Sequence, residues 1–138
     1  MNEEATVDDR GRHPPAIAPW LLHLRFALEV GSLIALGGWA RRAAGGGLVG
    51  WAAALATALI VAVLWGTFAV RGDPSRSGRA PVPVPGWLRI ALEMAVFFGA
   101  AAALASMGWW DWFDGFVAGF VVHHAGTRAR LLWVLRQR

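Results

Sequence analysis

The sequence predicts an all-α fold: an integral membrane four-helix bundle that consists of two parallel helical-hairpin repeats. Three observations lead to this prediction. Of the 138 residues, 57% are hydrophobic and only 16% are charged, which is more apolar surface than a soluble domain of this length could bury. The apolar residues form four segments of about the length that crosses a bilayer. The stretch LRFALEV at 24–30 is repeated as LRIALEM at 88–94, with five of seven residues identical.

The four predicted spans follow one another in a single transmembrane domain over residues 20–137. They cover residues 20–40, 48–70, 87–107 and 109–127. The second span is 23 residues long and carries no charge. The fourth reaches bilayer length only with Trp109, Trp110 and Trp112 as an interfacial aromatic belt.

Polar segments flank and connect these spans. Residues 1–19 are polar and Pro-containing without the features of a signal peptide, so we expect a flexible cytoplasmic tail. Residues 71–86 are rich in Pro and are predicted to form a stiff cytoplasmic loop. Residues 128–137 are predicted to form an amphipathic helix along the membrane surface.

The placement of arginine predicts the direction of the spans. Arginines occur in the tail, in the 71–86 loop and at the C-terminus, whereas the opposite side has only Arg41 and Arg42. By the positive-inside rule both termini face the cytoplasm. Every basic side chain apart from His is Arg, which together with the many Ala and Gly residues is typical of a GC-rich bacterium, so we expect the protein in a bacterial plasma membrane. The net charge of +4 then suits phospholipid headgroups, and no nucleic-acid partner is expected.

Small residues recur at every fourth position of the predicted helices, a pattern that lets membrane helices approach closely. In the first span they are Ala27, Gly31 and Ala35, and in the third Ala91, Ala95, Gly99 and Ala103. These two series coincide under the same shift as LRFALEV and LRIALEM. The chain therefore reads as a duplicated helical hairpin with parallel copies.

Each copy of the repeated motif carries an Arg and a Glu one helical turn apart, Arg25 with Glu29 and Arg89 with Glu93. A charge that faces lipid costs several kcal/mol, so we expect both pairs to point into the bundle. Counted at 1.5 Å per residue, all four lie within about 12 Å of the cytoplasmic helix ends, together with polar side chains of the other two helices. The candidate ligand-binding residues are Arg25, Glu29, Trp65, Arg89, Glu93 and His123.

Two interpretations of this layer stay open. In the structural one, Arg25 pairs with Glu93 and Arg89 with Glu29, which fixes the register of the two hairpins. In the functional one, the layer lines a pocket open to the cytoplasm, where an unpaired Glu could carry a proton or act as a general acid. The catalytic candidates are Glu29, Glu93 and His123. Only one residue of the adjacent His pair can face the site, and the other is expected to reach towards the headgroups. A metal site of two Glu and one His lacks the Glu-x-x-His pairing of diiron proteins, so no metal and no cofactor are expected.

The order of these motifs resembles a known family. The motifs are LRFALE in the first helix, LWGTF at 64–68, a Pro-containing connector, and LRIALEMAVF at 88–97. This order is similar to that of the YrdB-like family of small bacterial four-helix membrane proteins of unknown function, over about residues 20–107. The resemblance implies four spans with acidic residues at Glu29 and Glu93 and implies no activity. The fourth helix is not matched by it.

Three functions are compatible with the sequence. The first is a membrane protein that binds a lipid or hydrophobic small molecule in the inner-leaflet polar layer. The second is a proton-coupled exporter, and the third is an intramembrane acid/base enzyme such as a cyclase or isomerase that uses Glu29 or Glu93. Because four short helices enclose little volume, each of the three is compatible with a homodimer.

Overall fold

A computed structural model of the chain describes residues 13–77 and 79–138. Within these residues the chain is all-α apart from two short strands. The helices are α1 (Pro19–Ala43), α2 (Gly47–Thr67), α3 (Gly86–Ser106), α4 (Trp110–Gly126) and α5 (Arg128–Leu135). The strands, β1 (Phe68–Ala69) and β2 (Val82–Pro83), lie between α2 and α3. Residues 1–12 of the predicted tail lie outside the described residues.

Three helices, α1, α2 and α3, are long and apolar enough to cross a membrane. Together with the composition, they indicate a membrane protein. The fourth helix, α4, has 17 residues, or about 26 Å at 1.5 Å per residue, slightly less than a hydrocarbon core of ~30 Å. α4 is therefore shorter than the three helices that are long enough to cross a membrane.

Local sequence explains how α1 and α2 form a hairpin. α1 begins at Pro19, whose ring fixes φ near the helical value and whose missing N–H is not needed in the first turn. Three consecutive glycines (45–47) then have φ between 59° and 80°, a conformation that glycine adopts without strain. The chain reverses direction at these glycines, so α1 and α2 run antiparallel.

α1 lies at the centre of the fold and contacts α2, α3 and α4. Its contact with α3 forms the apolar core, where Ala35 packs with Ala100, Ala103 and Leu104. α2 lies on the outside, with Gly50 buried against α1 and most of its large apolar side chains exposed. Such an apolar and exposed surface is expected for a helix that faces lipid.

The connection between α2 and α3 differs from the predicted loop over 71–86. α2 ends at Thr67 rather than at residue 70, and the chain continues as β1, which pairs in parallel with β2. The amide of Val84 extends this pairing by donating to the carbonyl oxygen of Ala69 at 3.0 Å. Strands of two residues are too short to give a periodic pattern in the sequence, which is why the pairing was not predicted.

One face of the C-terminal helix is packed against the rest of the chain. Arg130, Trp133 and Val134 of α5 are all buried. The helix packs on the beginning of α3, where the amide of Gly86 donates to the carbonyl oxygen of Gln137 at 2.9 Å. The end of the chain therefore belongs to the packed structure.

Candidate functional site: a buried charged network

Charged side chains from three helices and one loop meet where α1 and α3 begin and α2 ends. These six residues, called the charged network below, are Arg25, Glu29, Asp73, Arg89, Glu93 and Arg130. Five of them are at most 2% exposed, whereas the Glu29 side chain is 28% exposed. Three carboxylates stand against three guanidinium groups. This balance limits the free-energy cost of burying so many charges.

Glu93 is the centre of the network. Its Oε1 accepts hydrogen bonds from Arg25 Nη1 at 2.7 Å and from Arg130 Nη1 at 2.8 Å. Its Oε2 accepts two more from Arg130, both at 3.1 Å, and lies 3.9 Å from Arg89 Nε. Glu93 thus connects α3 to α1 and to α5 through charge-assisted hydrogen bonds.

Asp73 in the loop holds the other edge of Arg130. Arg130 Nε donates to Oδ1 at 3.0 Å and Nη2 donates to Oδ2 at 2.5 Å, a two-pronged pair. Oδ1 also accepts hydrogen bonds from the amide and hydroxyl of Ser75.

Burial alone would raise the pKa of Asp73, but the charge and hydrogen bonds of Arg130, together with the hydrogen bonds from Ser75, hold this pKa below its ordinary value of 3.8. Burial likewise acts to lower the pKa of Arg130, and the carboxylates of Asp73 and Glu93 outweigh it and raise that pKa.

Glu29 is the partly exposed member of the charged network. Its Oε1 accepts from Arg25 Nε at 2.9 Å and from the indole N–H of Trp65 at 3.1 Å. The side chain also lines a cavity of about 210 Å³ between α1 and α2, called the α1–α2 cavity below. The charged network therefore reaches this cavity through one carboxylate.

Arg89 binds the end of α2 rather than a second carboxylate. Its Nη1 donates to the carbonyl oxygens of Trp65 at 3.1 Å and of Phe68 at 2.8 Å. Its guanidinium lies 4.5 Å from the centroid of the Trp65 ring, within cation–π range. The last carbonyl groups of a helix carry partial negative charge, so a buried cation is stabilised there. The pair that the sequence predicted between Arg89 and Glu29 is not formed, whereas the predicted pair between Arg25 and Glu93 is.

The His pair lies in α4 beside this network. His123 is fully buried, and neither of its ring nitrogens has a hydrogen-bond partner among the described residues. The Nδ1 of His124 lies 2.9 Å from the carbonyl oxygen of Phe120, which can only accept, so this nitrogen carries a proton. The His124 ring packs against Phe97 and Phe120 instead of reaching outwards. Across residues 13–77 and 79–138, no three His, Asp or Glu side chains are arranged to hold a metal ion.

Two members of the network, Asp73 and Arg130, were not among the candidates taken from the sequence. Arg130 continues a buried stripe with His123 and Thr127 at helical spacing, a pattern visible in the sequence once α4 and α5 are taken together. Asp73 precedes Pro74 and Ser75, and a side-chain oxygen at such a position commonly accepts from the backbone two residues on. Neither pattern predicts that Asp73 and Glu93 both bind Arg130, because that contact depends on how α5 packs against α3.

Comparisons with known proteins place this chain in a family. A family model described as "Protein of unknown function (DUF2568)" matches residues 23–123, a range that extends the resemblance into the fourth helix as far as His123. The chain is also 34% identical over 116 residues to the uncharacterized protein YrdB of Bacillus subtilis (strain 168), covering 84% of this chain and 94% of that protein. No solved structure matches the chain. The chain therefore belongs to the YrdB-like family of proteins of unknown function.

Proposed function

We propose that this protein is a four-span bundle of the bacterial plasma membrane that binds a lipid or other hydrophobic molecule at its charged network, with both termini in the cytoplasm. The observation that carries the proposal is the position of Glu29. It is the partly exposed carboxylate of an otherwise buried network, and it opens onto the α1–α2 cavity. A ligand there would meet a fixed polar group at one end and apolar side chains elsewhere, as in many small-molecule sites.

The lining of the α1–α2 cavity supports an amphiphilic ligand. Its apolar part consists of Phe26, Val30, Leu33, Val61, Ala62 and Val96. Its polar part comes from Glu29, Trp65 and Arg76. Glu29 and Trp65 would touch the ligand, while the buried Arg25, Arg89 and Glu93 hold them in place.

The charged network also fits a binding site better than a proton carrier. Glu93 is held by two guanidinium groups, and Glu29 by one guanidinium and one indole N–H. A proton-coupled exporter or an acid/base enzyme needs a carboxyl group that gains and loses a proton during its cycle. Protonation of the buried Glu93 would break charge-assisted hydrogen bonds to two arginines, at a cost of about 3–5 kcal/mol for an unpaired charge. Protonation of the partly exposed Glu29 would remove its ion pair with Arg25.

The test is to fill the cavity without touching the charged residues. Gly66 lines the α1–α2 cavity, and a Cβ built on it meets no atom of another element within 4 Å, so Gly66→Phe is the substitution that places a bulky side chain at the cavity. The matched control is Val63→Phe in the same helix, where the side chain is exposed and lies outside the lining of the α1–α2 cavity. Native mass spectrometry from mild detergent should show a lipid adduct on wild type and on Val63→Phe, and none on Gly66→Phe. An adduct that survives Gly66→Phe, or the absence of any defined adduct on wild type, would contradict the proposal.

A further inference from the structure

The polar end of the α1–α2 cavity contains a carboxylate and a guanidinium group that do not pair with each other. Glu29 and Arg76 both line the cavity. In the described part of the chain, Glu29 forms its ion pair with Arg25, and no ion pair joins it to Arg76. Opposite charges that share a cavity without neutralising each other form a dipolar site, and a ligand that carries both signs would be complementary to it.

A single residue, Trp65, holds both charges in position. Its indole N–H donates to Glu29 Oε1 at 3.1 Å, and its backbone carbonyl oxygen accepts from Arg76 Nη1 at 2.5 Å. Glu29 Oε2 forms no hydrogen bond with the described residues, and only one of the five N–H groups of Arg76 is used in this contact. The site thus keeps one free acceptor and several free donors at fixed places.

The depth of this site suits a lipid headgroup. Trp65 lies two residues before the end of α2, or about 3 Å along the helix, and Arg76 belongs to the loop that follows. Val61 and Leu33 are one helical turn away from Trp65 and Glu29 respectively, about 6 Å deeper. Counted from the end of α2, the charged groups therefore lie within about one turn of the helix end, and the apolar lining lies deeper.

On these observations, and resting on the function proposed above, we propose that the cavity selects a zwitterionic phospholipid whose ammonium group carries an N–H, of the phosphatidylethanolamine class. The phosphate binds Arg76, whose planar guanidinium matches phosphate oxygens. The ammonium donates to the free Oε2 of Glu29, and the upper part of an acyl chain contacts the apolar lining. A trimethylated ammonium has no N–H to donate, and a phosphatidylglycerol headgroup brings no cation to the carboxylate.

The experiment is a competition among lipids with identical acyl chains. Purified, delipidated protein receives an equimolar mixture of phosphatidylethanolamine, phosphatidylcholine and phosphatidylglycerol, and native mass spectrometry counts each bound species. A charge-assisted hydrogen bond of about 1.5–3 kcal/mol corresponds to a preference of roughly tenfold or more for phosphatidylethanolamine. Glu29→Gln should reduce the preference over phosphatidylcholine to near unity. Arg76→Gln should lower the binding of all three lipids and leave their ratio nearly unchanged.

A second series on wild-type protein keeps the test independent of any variant that folds poorly. Mono- and dimethylated phosphatidylethanolamine still carry an N–H, so binding should fall sharply only at the trimethylated headgroup. Equal binding of all headgroups, together with a lipid adduct that Gly66→Phe abolishes, would overturn the ammonium selectivity and leave the proposed function intact. If Gly66→Phe abolishes no lipid adduct of the wild-type protein, both proposals are overturned.

Discussion

Glu93 combines complete burial with hydrogen bonds to two arginines, which makes it the most sensitive position of the charged network. Around it, Arg25 Nη2 and the Nε and Nη2 of Arg89 are buried and have no hydrogen-bond partner within the described residues. These groups depend on nearby negative charge, because an isolated cation in a low-dielectric interior is strongly unfavourable. The carboxylate of Glu93 supplies that charge to three guanidinium groups at once.

Replacing Glu93 should therefore destabilise the protein strongly. Glu93→Gln keeps the shape of the side chain but removes the charge and turns an N–H₂ group towards the arginines. We expect a loss of about 3–5 kcal/mol in the free energy of unfolding, measured by chemical denaturation in detergent micelles. Asp114→Asn, which changes an exposed carboxylate of α4, is the matched control. Equal stability of the two variants would show that the network contributes little.

The contribution of Asp73 should depend on pH in a defined direction. Its pKa in the folded protein is held below 3.8, so its pairing with Arg130 is fully present above the unfolded-state pKa. The stabilisation is lost as the pH falls from there through the lower folded-state pKa. We expect Asp73→Asn to be less stable than wild type at neutral pH, and the difference between them to shrink in unfolding curves recorded below about pH 4. A difference that stays constant well below pH 4 would contradict the assigned pairing.

At the scale of elements, composition predicts the helices and not their docking. The bounds of α1 and α3 agree with the predicted spans within three residues, because long apolar runs have few alternatives in a membrane. Depth counting also placed Trp65 in the same polar layer as Glu29, and the two are hydrogen-bonded. The position of α5 could not be predicted, since an amphipathic pattern does not show whether lipid or protein covers its apolar face. For the same reason Arg130 was missed as a partner of Glu93.

The docking of α5 should depend on the absence of a side chain at Gly86. A Cβ at this position would overlap the backbone carbonyl oxygen of Val134, and a backbone atom cannot move aside as a side chain can. Gly86→Ala should separate α5 from α3, with a loss of about 1–3 kcal/mol typical of overpacking. Hydrogen exchange should then increase in α5 and around Asp73. Gly115→Ala, at an unobstructed helical position, should leave exchange in these segments unchanged.

At the scale of the whole molecule, the path of α4 decides how many times the chain crosses the membrane. α4 starts four residues after α3 ends, and α5 follows α4 and packs on the beginning of α3. α4 therefore runs back from the end of α3 towards its beginning. With both ends of α3 at the membrane surfaces, the C-terminus would lie on the same side as the 71–86 loop. The concentration of arginines on that side agrees with a cytoplasmic location.

Cysteine labelling can test this topology directly because the chain has no cysteine of its own. The exposed residues Ser77, Ser106 and Arg138 report on the loop after α2, the end of α3 and the C-terminus. In intact cells a membrane-impermeant maleimide should label Ser106→Cys, and should label Ser77→Cys and Arg138→Cys only after the membrane is opened. Labelling of Arg138→Cys from outside would mean three spans. It would also separate α5 from Asp73 by a bilayer, which the pairing of Arg130 with Asp73 and Glu93 does not allow. The topology and the charged network are thus tested by the same residue.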